Sequence, residues 1–120
     1  MAHTSSPTTT REMQECIDIC LECHSICLMT IQHCLELGGK HAEPRHITTL
    51  LDCAEICQTS ANFMLRGSDL HGRACALCAE VCRACAESCE RMAAGDTQLQ
   101  QCAEVCRRCE QSCQQMAASM

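Results

Sequence analysis

Cys75, Cys78, Cys82, Cys85 and Cys89 follow one another at gaps of three, four, three and four residues. Residues three and four apart on a helix are neighbours on one face, and this alternation is the narrow seam by which a helix packs into a bundle. Thiols therefore stand where leucine normally builds a core. The residues between them include Ala76, Ala79, Glu80, Ala84, Ala86 and Glu87, which favour helix. A buried stripe of this kind is a column of soft sulfur ligands, and the chemistry it suits is the binding of a thiophilic metal.

The rhythm occurs four times. The first segment carries Met13, Cys16, Cys20, Cys23, Cys27 and Cys34, with Thr30 in the gap. The second keeps register through His46, Leu50, Cys53, Cys57, Ser60 and Met64, with only two positions as cysteine. The third is the stretch above, with His71 in front and Met92 behind, and the fourth runs through Leu99, Cys102, Cys106, Cys109, Cys113 and Met116. Gly38, Gly39 and Pro44 break the chain after the first segment, "RGSDLHG" after the second and "AAGDT" after the third. Asp96 or Thr97 is the N-cap candidate of the last. Four amphipathic segments joined by short loops predict an all-α fold, an antiparallel up-down four-helix bundle with a cysteine-lined core, over residues 11–118. Residues 1–10, rich in Ser and Thr, read as a disordered tail. His3 in that tail would make an amino-terminal copper site only if Met1 is retained.

Composition narrows the use of the thiols. The chain has 120 residues, enough for one domain, with 16 cysteines, one phenylalanine and no tyrosine or tryptophan. Such cysteine content normally signals a secreted disulfide scaffold. "MAHTSSPTTTREMQE" shows neither a basic n-region nor an apolar h-region, so no secretory signal and no membrane span are expected, and Met1 argues against a processed form. The expectation is a cytoplasmic protein with reduced thiols. Disulfides within a helix also fail on geometry, because neighbouring Cβ atoms lie roughly 5–6 Å apart and a disulfide wants about 3.5–4.5 Å. Cysteine does pack as a small hydrophobe, but leucine would bury more area at every seam position. A formal net charge of −6 disfavours nucleic acid and anionic membrane as partners. No Ser/His/Asp set or glycine-rich phosphate loop is visible, and no enzyme is expected.

The choice among metals follows from spacing. Zinc takes four ligands, usually from two Cys-x-x-Cys loops, whereas here Cys20/Cys23, Cys75/Cys78, Cys82/Cys85 and Cys106/Cys109 lie within continuous helices. The bacterial iron–sulfur pattern needs successive two-residue gaps and a Cys-Pro, and neither occurs. Cu(I) accepts two or three sulfurs. Two Cu–S bonds, each slightly shorter than Zn–S, span roughly 4.4 Å, which suits thiolates at i and i+4. Such pairs are 16/20, 23/27, 53/57, 78/82, 85/89, 102/106 and 109/113, with His71/Cys75 as a mixed one. A run of pairs is a track of sites, which favours storage. If each thiolate bridges two metals, one Cu(I) per cysteine gives a neutral array, and the empty protein is neutral too because buried thiols stay protonated. A zinc or general soft-metal buffer and an iron–sulfur electron-transfer protein remain the alternatives.

The words "CIDICLECHSIC", "LLDCAEIC", "CALCAEVCRACAESC" and "CAEVCRRCEQSC" resemble the bacterial copper storage proteins, in particular their cytosolic branch, from about Met13 to Met116. The resemblance implies a homotetramer of bundles, with many Cu(I) ions in each core and small-molecule or chaperone copper donors as partners. Ser60 and Met64 stand at thiol positions of the second helix, and the third loop lacks the histidines that cytosolic relatives can carry there. One end of the bundle gathers Met13, Phe63, Met64, Leu70 and Met116 and reads as an apolar plug. The other gathers Cys34, His41, His46, Cys89, Met92 and Cys102 and is the expected mouth, with His46 and Met92 as donors. His71 is in register to close the array at the plugged end, while His24 and His33 are expected at the surface.

Overall fold

Gly38 stops the first helix: its φ of 70° lies in the left-handed region open to glycine, and its N–H donates to the Cys34 carbonyl at 3.1 Å. The computed structural model describes residues 7–119, in which α1 (Pro7–Leu37) leads through a 3-10 turn (Gly39–Ala42) into α2 (Pro44–Leu65). Pro44 opens α2 at the position where its missing N–H costs nothing. Then come α3 (His71–Arg91) and α4 (Thr97–Ala118). Asp96 is the N-cap of α4, its Oδ1 accepting the Leu99 N–H at 2.9 Å.

α1 begins at Pro7, inside the segment expected to be a tail. Proline's fixed φ suits the first helical turn, and no breaker follows it before the seam. Met1–Ser6, including the His3 copper site considered above, lie outside the described residues.

The helices run up, down, up and down in a ring, an all-α four-helix bundle. Among the described residues each packs on its two neighbours in the order α1, α2, α3, α4 and back to α1, with no packing across the diagonal. The bundle measures 53 × 20 × 18 Å. Small residues flank the seam: Ala54, Ala61, Ala79, Ala86 and Ala103 are buried beside the thiols and let the helices approach closely. Outside, Arg107 reaches Glu90 on α3 with two bonds of 2.9 Å, and Arg108 reaches Glu22 on α1 at 3.0 Å. These exposed pairs latch α4 to its neighbours and contribute at most about 1 kcal/mol each.

Candidate metal centre

All sixteen cysteines are 0% exposed, and none is in a disulfide. Helical period alone puts them in the seam, and the ring of four helices turns the four seams onto one axis. Their sulfurs meet mostly across helices. Cys113 on α4 lies 3.8 Å from Cys16 and 3.6 Å from Cys20 on α1. Cys57 on α2 lies 3.7 Å from Cys78 and Cys82 on α3 and 3.8 Å from Cys109 on α4. Cys23 on α1 lies 3.8 Å from both Cys53 and Cys106. Cys78 and Cys82, at 3.8 Å, are a close pair within one helix. The i, i+4 pair is thus a part of the site and not the whole of it. The reason is geometric: thiols on four converging stripes come as near to partners opposite as to those one turn away.

The contacts assemble into clusters of four sulfurs within 4.8 Å of one another. Five of them are Cys20/Cys78/Cys109/Cys113, Cys57/Cys78/Cys82/Cys109, Cys23/Cys53/Cys57/Cys82, Cys23/Cys27/Cys53/Cys106 and Cys27/Cys85/Cys102/Cys106. Each contains one i, i+4 pair, completed by two thiols from other helices. In that order, each cluster also shares two of its thiols with the next. The five therefore form one continuous ladder built from twelve different cysteines. Five independent tetrahedral sites would need twenty thiols, so the clusters cannot all be filled by separate four-coordinate ions. Shared sulfur calls for a metal that tolerates bridging thiolates at low coordination number, which is Cu(I).

Burial favours the protonated thiol all along the empty column. It pushes the Cys34 thiol up to about 11, with Asp96 and Cys102 adding to it. Cys106 is held well above the usual thiol range by the neighbouring Cys102, Cys23, Cys27 and Cys53 thiols, and by burial. Thiolates in contact inside a low-dielectric core repel, so without metal they stay neutral.

The two ends differ. At one, His46 is 2% exposed, with Nε2 3.4 Å from Cys34 Sγ and Nδ1 2.6 Å from Ser88 Oγ. Burial lowers the His46 pKa, and the neighbouring His41 lowers it further, so the ring is neutral with one donor and one acceptor nitrogen. Thr30, Leu50 and Leu99, all 0% exposed, take seam positions toward this end in place of thiols, and Cys89 neighbours both Cys102 of the ladder and Cys34. The Thr30 hydroxyl accepts a 2.9 Å bond from Gln98 Nε2. Met92 is the half-buried C-cap of α3. At the other end Met64 and Met116 are buried, while Leu70 is 52% exposed and Arg66 stacks on Phe63 at 4.6 Å. His71 is held by a 2.8 Å bond between Nδ1 and the Ser68 carbonyl, and the Cys75 thiol meets the Met64 thioether at 3.8 Å.

The two histidines expected at the surface are partly exposed, and each bonds across helices. His24 is half-buried and bonds the Ala54 carbonyl at 2.7 Å, pinning α1 to α2. His33 bonds Asp96 at 2.8 Å, tying α1 to the cap of α4. Both partners are far away in sequence, and Ser88 sits one place off the seam, so no local pattern marks any of the three contacts. Among the described residues, outer grooves such as that lined by Ala76, Ala79, Arg83 and Glu110 carry no cysteine.

Fold and site together define a class, a four-helix bundle built around a ladder of thiols. A family model described as copper storage protein matches residues 9–118, and the chain belongs to that family. A solved Nitrosospira multiformis protein is 46% identical and superposes with a TM-score of 0.87, covering 92% of this chain and 99% of that one. The Cu(I)-bound copper storage protein BsCsp3 is 31% identical with a TM-score of 0.82, over 88% and 98% of the two chains. A cytosolic copper storage protein from Streptomyces lividans, solved with five coppers, is 31% identical with a TM-score of 0.84, over 96% and 99%. An uncharacterised cysteine-rich protein of Bacillus subtilis, YhjQ, is 32% identical over 68 residues, which are 57% of this chain and 63% of that relative. No helix among the described residues is long and apolar enough to cross a membrane.

Proposed function

We propose that this protein stores Cu(I) at high capacity, with its sixteen cysteines as ligands and about one copper per cysteine at saturation. The observation that carries the reading is the continuous ladder, in which each four-thiol cluster shares two sulfurs with the next. A catalytic metal needs one open site, and a structural metal needs one closed site. A ladder multiplies sites instead. Each Cu(I) that enters displaces one thiol proton, so a thiolate bridging two coppers leaves the filled core as neutral as the empty one. The protein then acts as a store and not as an enzyme.

His46, with Met92 nearby, receives copper at the end where Cys34 is the first thiol. The donors are small-molecule copper complexes or a copper chaperone, in the cytoplasm. The Streptomyces relative, itself called cytosolic, supports that location. A homotetramer is the expected assembly, and half-exposed Leu28, Leu51 and Leu77 on the outer faces of α1, α2 and α3 give it apolar surface to bury.

Competition tests the choice of metal. Under anaerobic, reducing conditions the protein should take copper from a Cu(I)-specific chelator and should not yield it to excess zinc. Displacement of the bound copper by zinc would instead identify a general soft-metal buffer.

A further inference from the structure

The second helix is short of thiols beyond Cys57, in the direction away from His46. Ser60 takes the next seam position, and its hydroxyl is engaged, donating to the Ala74 carbonyl at 3.1 Å. One turn further lies Met64, 3% exposed. The Cys75 thiol donates to its thioether sulfur at 3.8 Å, within the 3.6–4.0 Å range of the thiol–thiol contacts. Cys75 in turn neighbours Cys16 and Cys113, whose thiols stand at this end of the array. Met64 thus extends the sulfur column by one atom that carries no proton to lose.

Array chemistry gives that atom a use. In an open chain of bridging thiolates with one copper each, every internal Cu(I) has two thiolate bonds, but a terminal Cu(I) has one. An extra thiolate there would leave a negative charge in the low-dielectric core. A neutral soft donor completes the terminal ion without charge, and a thioether is such a donor. We propose that Met64 is a Cu(I) ligand, holding the last copper of the array together with Cys75 at the end opposite His46. On loading, the Cys75 proton leaves to solvent, Cys75 sulfur and Met64 sulfur each bond the copper, and no oxidation state changes. This inference rests on the storage reading.

Selenium reports it directly. The protein is prepared with selenomethionine, saturated with Cu(I) anaerobically under a reductant, and studied by X-ray absorption at the selenium edge. The measurement is made in a Met92→Leu background, which removes the methionine at the copper mouth, and a selenium–copper shell at ~2.3–2.5 Å is expected there. It should vanish when Met64→Leu is added and survive when Met116→Leu is added, with both variants as helical as the parent. Full copper capacity with no such shell, or a shell that persists in Met64→Leu, overturns the assignment and leaves storage standing. Saturation near four coppers per chain overturns the storage array and the role of Met64 within it.

Discussion

Ser88 decides how His46 can serve a metal. The tautomer with its proton on Nδ1 donates to Ser88 Oγ and turns the Nε2 lone pair toward Cys34. In that tautomer the lone pair accepts the Cys34 thiol proton in the empty protein and would be free for Cu(I) once the proton leaves. A donor in this position changes the rate of loading more than the capacity, because thiolates dominate the affinity. His46→Ala with Met92→Ala should slow both copper uptake and chelator-driven removal, with total copper nearly unchanged. The matching change at the other end, Met13→Leu with Met116→Leu, should leave both rates alone. Stopped-flow absorbance under anaerobic conditions reads these rates. Control by the methionine pair, with none by His46 and Met92, would place the mouth at the wrong end. His46 was legible as a seam residue, but its partner Ser88 was not, because a residue beside the stripe gives no periodic signal.

At the level of the helices, the repeat carried most of the fold. The thiol register marks the buried face of all four segments, and Gly38, Pro44 and Asp96 mark their ends. What periodicity could not show was which thiols meet. Register places Cys57 on the axis, but only the ring order of the helices brings it to Cys78, Cys82 and Cys109. The junction between α3 and α4 was half legible in the same way. Asp96 was readable as a cap, yet its bond to His33 depends on α1 lying alongside. The His33 bond, and after it the Leu99 N–H, holds the Asp96 carboxyl below its usual pKa. A lowered carboxylate pKa contributes stability that is present above the unfolded value, near 3.9, and fades as pH falls through the folded one. Asp96→Ala should therefore cost the apo protein about 1 kcal/mol at neutral pH. The difference from the parent should shrink below about pH 4. Urea denaturation under reducing conditions measures both, and equal stability at neutral pH would show that the cap does not hold α4.

On the scale of the whole bundle, the sulfur column is enclosed. Among the described residues every cysteine is fully buried, and the seam toward Cys34 and His46 is filled by buried Thr30, Leu50 and Leu99. Copper admitted at that end must pass side chains that yield, so a slow exchange and a secure store come from the same packing. The thiols need no metal to be buried, since helix-forming residues and flanking alanines already close the bundle around protonated sulfur. Capacity is then set by how many thiolates can share metal. The most direct measurement is an anaerobic Cu(I) titration of the reduced apo protein, followed by native mass spectrometry of the saturated chain. The sharing of thiols along the ladder predicts on the order of sixteen coppers per chain, one for each of the 16 cysteines. Saturation near four would mean isolated tetrahedral sites and would contradict the continuous array.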